Sequence, residues 1–389
     1  MSLFSSETKR LERFPVAKRQ IFVAHAGVTP LPKCAADAMI SHIRASCEDH
    51  QEFGEVFRDI DATRGVCANL IGAEKSEIAL LGPTSLGLSL FANGITWHAG
   101  DEIVCYQDDY PANVYPWMAL ASQGVMIRHL RPETPGHITP ELIEGELSSR
   151  TRLVALASCH YLSGWRIDVD AIGELLHQRG VLFSVDAIQT LGAFPFSVKF
   201  VDFLSADAHK WMLGPTAIGI VYVARRNFEL CRPTLLGSWN IHAPQFLAQE
   251  TIKFHETAQR YEPGVLNLAG IYGMRASLEM LQATGLEIVS LAILDVRDHL
   301  HALLEQMGFE FLSPPREEPL RSGIVTARHP RVASSAFFSA LEKEKITASL
   351  RMARESGEWL RFSPHFYNTR AEMERIAEVL RAALPDLGA

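Results

Sequence analysis

The residues with the clearest chemistry lie between His209 and Ala217, in the run HKWMLGPTA, where the strand-like stretch beginning at Val201 gives way to a Gly/Pro turn holding Lys210. A lysine at such a turn can form an imine. An earlier apolar run, VLFSV, ends in the carboxylate Asp186, 24 residues before that lysine and followed by Ala187, Ile188 and Gln189. A carboxylate at the end of one buried strand, a second buried strand and then a lysine on a turn is the layout that holds pyridoxal phosphate, with the acid on the pyridine nitrogen and the lysine on the aldehyde.

Each of these residues also has a plainer use. Asp186 would keep the ring nitrogen protonated, or it would cap a turn. Lys210 must be neutral to act as imine partner and then as the base that moves the Cα proton, a state that burial and nearby positive charge favour. Most lysines are instead solvated surface charges. Thr84 and Ser85 follow a strand-like run and open a helical one, so their amides and hydroxyls can meet a phosphate at a helix start, or only cap it. Arg361 offers a planar fork to a substrate carboxylate. A surface ion pair is the alternative, and Arg351 and Arg354 compete for the role.

The runs SVDAIQTLG and SADAHKWMLGPTAIGIVYV, flanked in order by FVAHAGVTP from Phe22 and LRFSPHFYNT from Leu360, resemble the class V aminotransferase family. This is a group of fold type I pyridoxal phosphate enzymes that includes cysteine desulfurases, selenocysteine lyase, kynureninase and isopenicillin N epimerase. The resemblance implies Gln189 beside the phenolic oxygen, His209 on the phosphate with Asp207 orienting it, and Tyr110 stacked on the ring where relatives have histidine or phenylalanine. It places Tyr161 where desulfurases have asparagine, Arg361 on the substrate carboxylate, and His25, Ala26 and Gly27 at the substrate mouth. It also implies a two-fold dimer with shared sites. Relatives often carry threonine or serine where this chain has Val265, so Trp239 or Asn240 would take over contact with the partner's phosphate. Family desulfurases carry a persulfide-forming cysteine in the C-terminal region, and this chain has none after Cys231.

Seven short β-like runs, starting near Ile78, Glu102, Val125, Arg152, Val181, Asp202 and Ile218, are mostly separated by helical stretches, the pattern of an α/β sheet with parallel connections. The resemblance specifies a fold type I transferase: a large domain with a mainly parallel seven-stranded sheet and a smaller C-terminal α+β domain. The expected division is a segment 1–20 packing on the small domain, a cofactor-binding domain 21–260 and a small domain 261–389. A helix is predicted near residues 170–179, ending at Gly180; more helices span 270–307; and a last one opens with Thr369 and Glu372 as a capping box and runs to Pro385.

With 389 residues, 47% of them hydrophobic and 21% charged, the chain has the composition of an ordinary globular enzyme. A net charge of −8 argues against nucleic-acid partners, and no apolar run predicts a membrane span. The N-terminus MSLFSSETKRLERF lacks the apolar core of a secretory signal, so the expected location is cytoplasmic. The six cysteines lack the spacing of a zinc site or a disulfide framework. The absence of G-x-G-x-x-G disfavours a dinucleotide enzyme. The expected activity is an amino-acid transformation at Cα or Cβ, ordered aminotransferase, lyase, epimerase, with a catalytically silent cofactor-binding protein as the rival.

Overall fold

The computed structural model describes residues 3–384, so the predicted helix stop at Pro385 lies outside the described residues. Thirteen strands are β1 (Ile21–Phe22), β2 (Ile78–Leu80), β3 (Glu102–Tyr106), β4 (Met126–Leu130), β5 (Thr151–Ala157), β6 (Leu182–Asp186), β7 (Phe203–Asp207), β8 (Gly219–Val223), β9 (Glu310–Phe311), β10 (Val325–Arg328), β11 (Ile346–Thr347), β12 (Ser349–Ala353) and β13 (Gly357–Phe362). Strands β2 to β8 form one seven-stranded sheet in the order β2-β8-β7-β6-β5-β3-β4. Only β8 runs against its neighbours. The α/β, fold type I expectation holds, and the seven anticipated runs are its seven strands.

The two-residue period of the strands feeds both faces of this sheet into cores. Val104, Val154, Leu204 and Ile220 point into one cluster; their chain neighbours Ile103, Leu153, Phe203 and Val221 point into the other. Helix Phe53–Ile71, with Val56, Ile60 and Leu70, covers the first face together with Val169–Gln178. Helix Thr84–Gly94, with Leu88 and Phe91, covers the second. The predicted helix near 170 starts where the Asp168 side chain accepts from Ala171 N at 3.0 Å and stops before Gly180, whose φ is +66°.

A second, antiparallel sheet has the order β12-β13-β10-β9 and packs with helices Leu286–Gln306, Ser334–Lys343 and Arg370–Ala382 into its own core, around Leu300, Phe337, Leu360 and Ile376. The predicted capping box is present: Glu372 N donates to Thr369 Oγ1 at 3.2 Å and Thr369 N to Glu372 Oε2 at 2.9 Å. The helical stretch foreseen over 270–307 is two helices bent by 84° between Thr284 and Leu286. The first, Leu268–Thr284, packs Ile271, Met274 and Leu278 into the large-sheet core. No single helix among the described residues is long and apolar enough to cross a membrane.

The N-terminal segment lies against the end of the chain. Arg10 donates to Tyr367 O at 3.1 Å and Glu372 Oε1 at 3.0 Å, and the Phe14 ring stacks on Tyr367 at 4.1 Å. β1 pairs in parallel with β11.

Candidate active site

Topology brings the chemistry to one edge. Asp186 ends β6, Asp207 ends β7, Tyr110 follows β3, Tyr161 follows β5 and Thr84 follows β2, all at carboxyl ends of parallel strands, where α/β sheets bind ligands. The turn carrying Lys210 is closed by Leu213 N donating to Lys210 O at 3.0 Å and Gly214 N to Ala208 O at 2.8 Å. Leu213 and Ala217 are held at φ of 55° and 59°, a left-handed conformation that costs a non-glycine residue about 1–2 kcal/mol.

Lys210 is buried, with its Nζ 5.3 Å from the Tyr110 ring centroid. Burial lowers its pKa below the lysine range; Asp186 opposes that shift, and Arg361 and Arg351 add to it. Asp186 is also buried, and its carboxyl is pushed up by desolvation against the Ile188 amide, which donates to Oδ1 at 3.0 Å. Its other oxygen accepts no hydrogen bond among the described residues. A buried acid with one free oxygen and a buried amine of lowered pKa fit a cationic ring nitrogen and an aldehyde.

Around them, Gln189 Oε1 accepts from Trp211 Nε1 at 2.8 Å and its Nε2 donates to Ala26 O at 3.1 Å, which leaves one amide proton over. Thr84 Oγ1 accepts from Asp207 N at 2.8 Å, tying the start of helix Thr84–Gly94 to β7; Ser85 is the next residue of that first turn. His209 Nδ1 lies 3.0 Å from Asp207 Oδ1 without hydrogen-bond alignment. Tyr110, half exposed, meets Tyr161 edge to face at 5.4 Å.

Arg361 is enclosed, and Nη1 donates to Tyr161 O at 2.6 Å. Its Nε and Nη2 are buried with no hydrogen-bond partner among the described residues, and desolvation brings its pKa down to about 9, helped by Arg351. An unpaired buried guanidinium is costly. Its free Nε–Nη2 edge matches the two oxygens of a carboxylate.

Three anticipated residues lie away from Lys210, two of them, Trp239 and Asn240, expected to serve a partner's phosphate. His25 faces no opening: it is fully enclosed, with Nδ1 donating to Ser363 O at 2.8 Å and Nε2 accepting from Tyr367 Oη at 2.9 Å, so it clamps the first strand to the last segment. Trp239 packs on helix Phe53–Ile71, its ring 5.0 Å from Phe57. Asn240 is consumed by its loop, accepting from Gly237 N at 3.0 Å and donating to Leu235 O and Arg260 O at 2.7 and 3.0 Å.

Sequence reasoning passed over Asp109 and His160. Asp109 accepts from Tyr110 N and Ala157 N at 2.9 Å and from Asn113 Nδ2 at 3.0 Å, and burial pushes its pKa up to about 6. It fastens the segment after β3 to the end of β5. The available signal was its spacing of four from Asn113. His160 donates from Nε2 to Asp108 O at 3.0 Å, accepts from Ser163 N at 3.2 Å, and is held neutral by burial, its pKa lowered to about 4.

Comparison with known proteins adds a decisive observation: a family model described as Aminotransferase class-V matches residues 21–376. The chain belongs to the class V aminotransferase family. As a member it is a pyridoxal phosphate enzyme, as its sequence led us to expect. A probable cysteine desulfurase of Methanothermobacter thermautotrophicus is 25% identical over 389 aligned residues, covering 94% of this chain and 95% of the relative. An uncharacterized aminotransferase of Bacillus subtilis, YcbU, is also 25% identical, covering 96% and 99%. Among solved structures, the apo cysteine desulfurase of Thermococcus onnurineus superposes with a TM-score of 0.90 at 22% identity, covering 98% and 99% of the two chains. A mutant of C-DES with glycine covalently linked to its PLP cofactor gives 0.86 at 21%, covering 95% and 98%.

Proposed function

We propose that this class V enzyme transforms an amino acid at Cα or Cβ, with Lys210 as the covalent anchor and proton carrier, Asp186 on the ring nitrogen and Arg361 on the substrate carboxylate. The observation that carries the reading is the unpartnered Nε–Nη2 edge of the buried Arg361, close enough to Lys210 that its charge helps depress the lysine's pKa. Bound pyridoxal phosphate supplies an electron sink for negative charge at Cα. Lys210, held toward its neutral form, would hold the aldehyde and carry the Cα proton. Arg361 fixes the carboxylate through two parallel hydrogen bonds and so chooses which Cα bond faces the ring. Thr84, Ser85 and His209 would hold the phosphate, with Asp207 orienting the histidine. Gln189 would offer its spare amide proton to the phenolic oxygen, and Tyr110 would stack on the ring beside Tyr161.

Amino-group transfer is the leading reaction. Lyase chemistry is the second reading, favoured by relatives named cysteine desulfurase and by a structural neighbour described as a cystine C-S lyase. With no cysteine after Cys231, a lyase of this sequence would release its product without passing sulfur to a C-terminal cysteine of its own. Epimerase chemistry stands third.

The same reading includes a cofactor-holding body 21–260, a small body 261–389, the segment 1–20 docked on the latter, and a cytoplasmic homodimer. The exposed Phe53, Phe246 and Leu247 beside Trp239 support a second copy at that face, where Trp239 would serve the partner's site.

The test loads the protein with pyridoxal phosphate, reduces it with borohydride and maps the added mass, expected on the peptide containing Lys210. Loaded protein is then incubated with L- and D-amino acids. Amino-group transfer to the cofactor with release of a keto acid marks an aminotransferase, loss of the side-chain group leaving alanine, or pyruvate with ammonia, marks a lyase, and inversion at Cα marks an epimerase. Mass addition elsewhere overturns the site.

A further inference from the structure

We infer that Arg351 is a second anion-binding residue of the pocket and that the substrate is an amino acid with a further acid group on its side chain. The inference rests on the reading of Arg361 and Lys210 given above. In the β12–β13 hairpin Ser349 pairs with Arg361 and Arg351 with Trp359. Arg351 and Arg361 are therefore diagonal neighbours on one face of the antiparallel sheet, within reach of a single ligand. A Cβ built on Gly27 would lie 3.9 Å from Arg351 Nη2, which places that guanidinium beside the FVAHAGVTP segment. The exposed Arg351 side chain makes no hydrogen bond or ion pair among the described residues. Its neighbour Arg354 is already committed to Asp108.

Charge and valence then decide the ligand. The free Nε–Nη2 edge of Arg361 is enough for one carboxylate. The same corner holds Lys210, Arg361 and Arg351, and no carboxylate pairs with either arginine among the described residues. Asp186 faces the ring nitrogen in the proposed arrangement, and Asp207 lies beside His209. A neutral side chain would leave Arg351 to solvent, whereas a carboxylate or sulfinate one or two carbons beyond Cα would pair with it.

The experiment uses protein loaded with pyridoxal phosphate and reads apparent affinity from the visible absorbance change. L-aspartate and L-cysteine sulfinate are compared with the neutral L-asparagine and L-alanine, in the wild type, Arg351→Gln and Arg351→Lys. The expected result is about 10-fold tighter binding of the acidic pair. Arg351→Gln should reduce affinity for that pair about 10-fold more than for the neutral pair, with part of the loss restored in Arg351→Lys. Equal binding of acidic and neutral amino acids, or no response to either acid, overturns the inference. So does an equal loss for all four in Arg351→Gln, which would put Arg351 on the common α-carboxylate or in the fold. Borohydride trapping on the same samples separates the causes. Mass on Lys210 confines a failure to Arg351, and its absence removes the cofactor-site reading as well.

Discussion

At the scale of single residues, the site is assembled from groups that the apoprotein holds at a cost. Arg361 is a buried cation with two unsatisfied nitrogens, so Arg361→Met should raise the stability of the apoprotein by about 1–4 kcal/mol in urea denaturation, as replacement of buried charge by apolar volume does elsewhere. The loaded variant should lose about 2–5 kcal/mol of amino-acid binding in a spectral titration. A destabilised variant would mean that the Tyr161 carbonyl contact outweighs the unpaired charge. Lys210→Ala should abolish borohydride-stable cofactor incorporation while circular dichroism stays native, because the lysine side chain holds none of the hydrogen bonds that close its turn. Asp186 and Lys210 were singled out from sequence because each has a distinctive chemistry beside a recognisable apolar strand, and Arg361 because it stands in the LRFSPHFYNT run. Asp109 was not, since an acid before a Pro-containing turn reads as a cap; only the fold shows it bonded to Ala157 N across two strands.

At the scale of elements, the phosphate end depends on how closely helix Thr84–Gly94 approaches the sheet. A Cβ at Gly87 would lie 2.8 Å from Ser205 Cβ and 2.9 Å from Val221 Cγ2. Gly87→Ala should therefore lift the helix, loosen the Thr84–Asp207 bond, cost about 1–3 kcal/mol of stability and weaken cofactor binding in equilibrium dialysis. Gly145, in helix Pro140–Glu146, is the control: a Cβ there meets nothing within 4 Å. Gly145→Ala should be neutral or stabilising by up to about 1 kcal/mol, with cofactor affinity unchanged. Equal effects at the two glycines would break the link between this approach and the site. The helix itself was readable from its apolar run after Thr84. The tightness of its seat was not, because it depends on Ser205 and Val221, far along the chain and adjacent only once the sheet has formed.

At the scale of the whole molecule, the alternation of β-like and helical runs revealed the large sheet, since buried parallel strands are short, apolar and separated by crossovers. Long-range docking left no such period: His25 met Ser363 and Tyr367 from the far end of the chain and became a clamp, although its local segment suggested a pocket rim. Burial of this kind makes the fold acid-sensitive. His25 is held well below the histidine range, and His160, His301 and His365 have pKa values lowered to about 4, with desolvation the leading cause in each. Each is neutral in the fold but protonates near 6.5 when unfolded, so its contribution is complete above pH 6.5 and lost as the pH falls toward 4. The raised carboxyls Asp109 and Asp186 act in the opposite sense, favouring the fold as they take up protons. His301 isolates the histidine effect. Its ring stacks on Phe311 at 3.8 Å and 13°, and neither nitrogen has a hydrogen-bond partner among the described residues. His301→Phe keeps the stacked shape and removes both the idle polar atoms and the titration. Urea denaturation of the apoprotein should show the variant at least as stable as the wild type at pH 7. Between pH 6.5 and 4 its lead should widen by up to about 3 kcal/mol. A constant difference across that window would show that His301 titrates alike in the folded and unfolded chain.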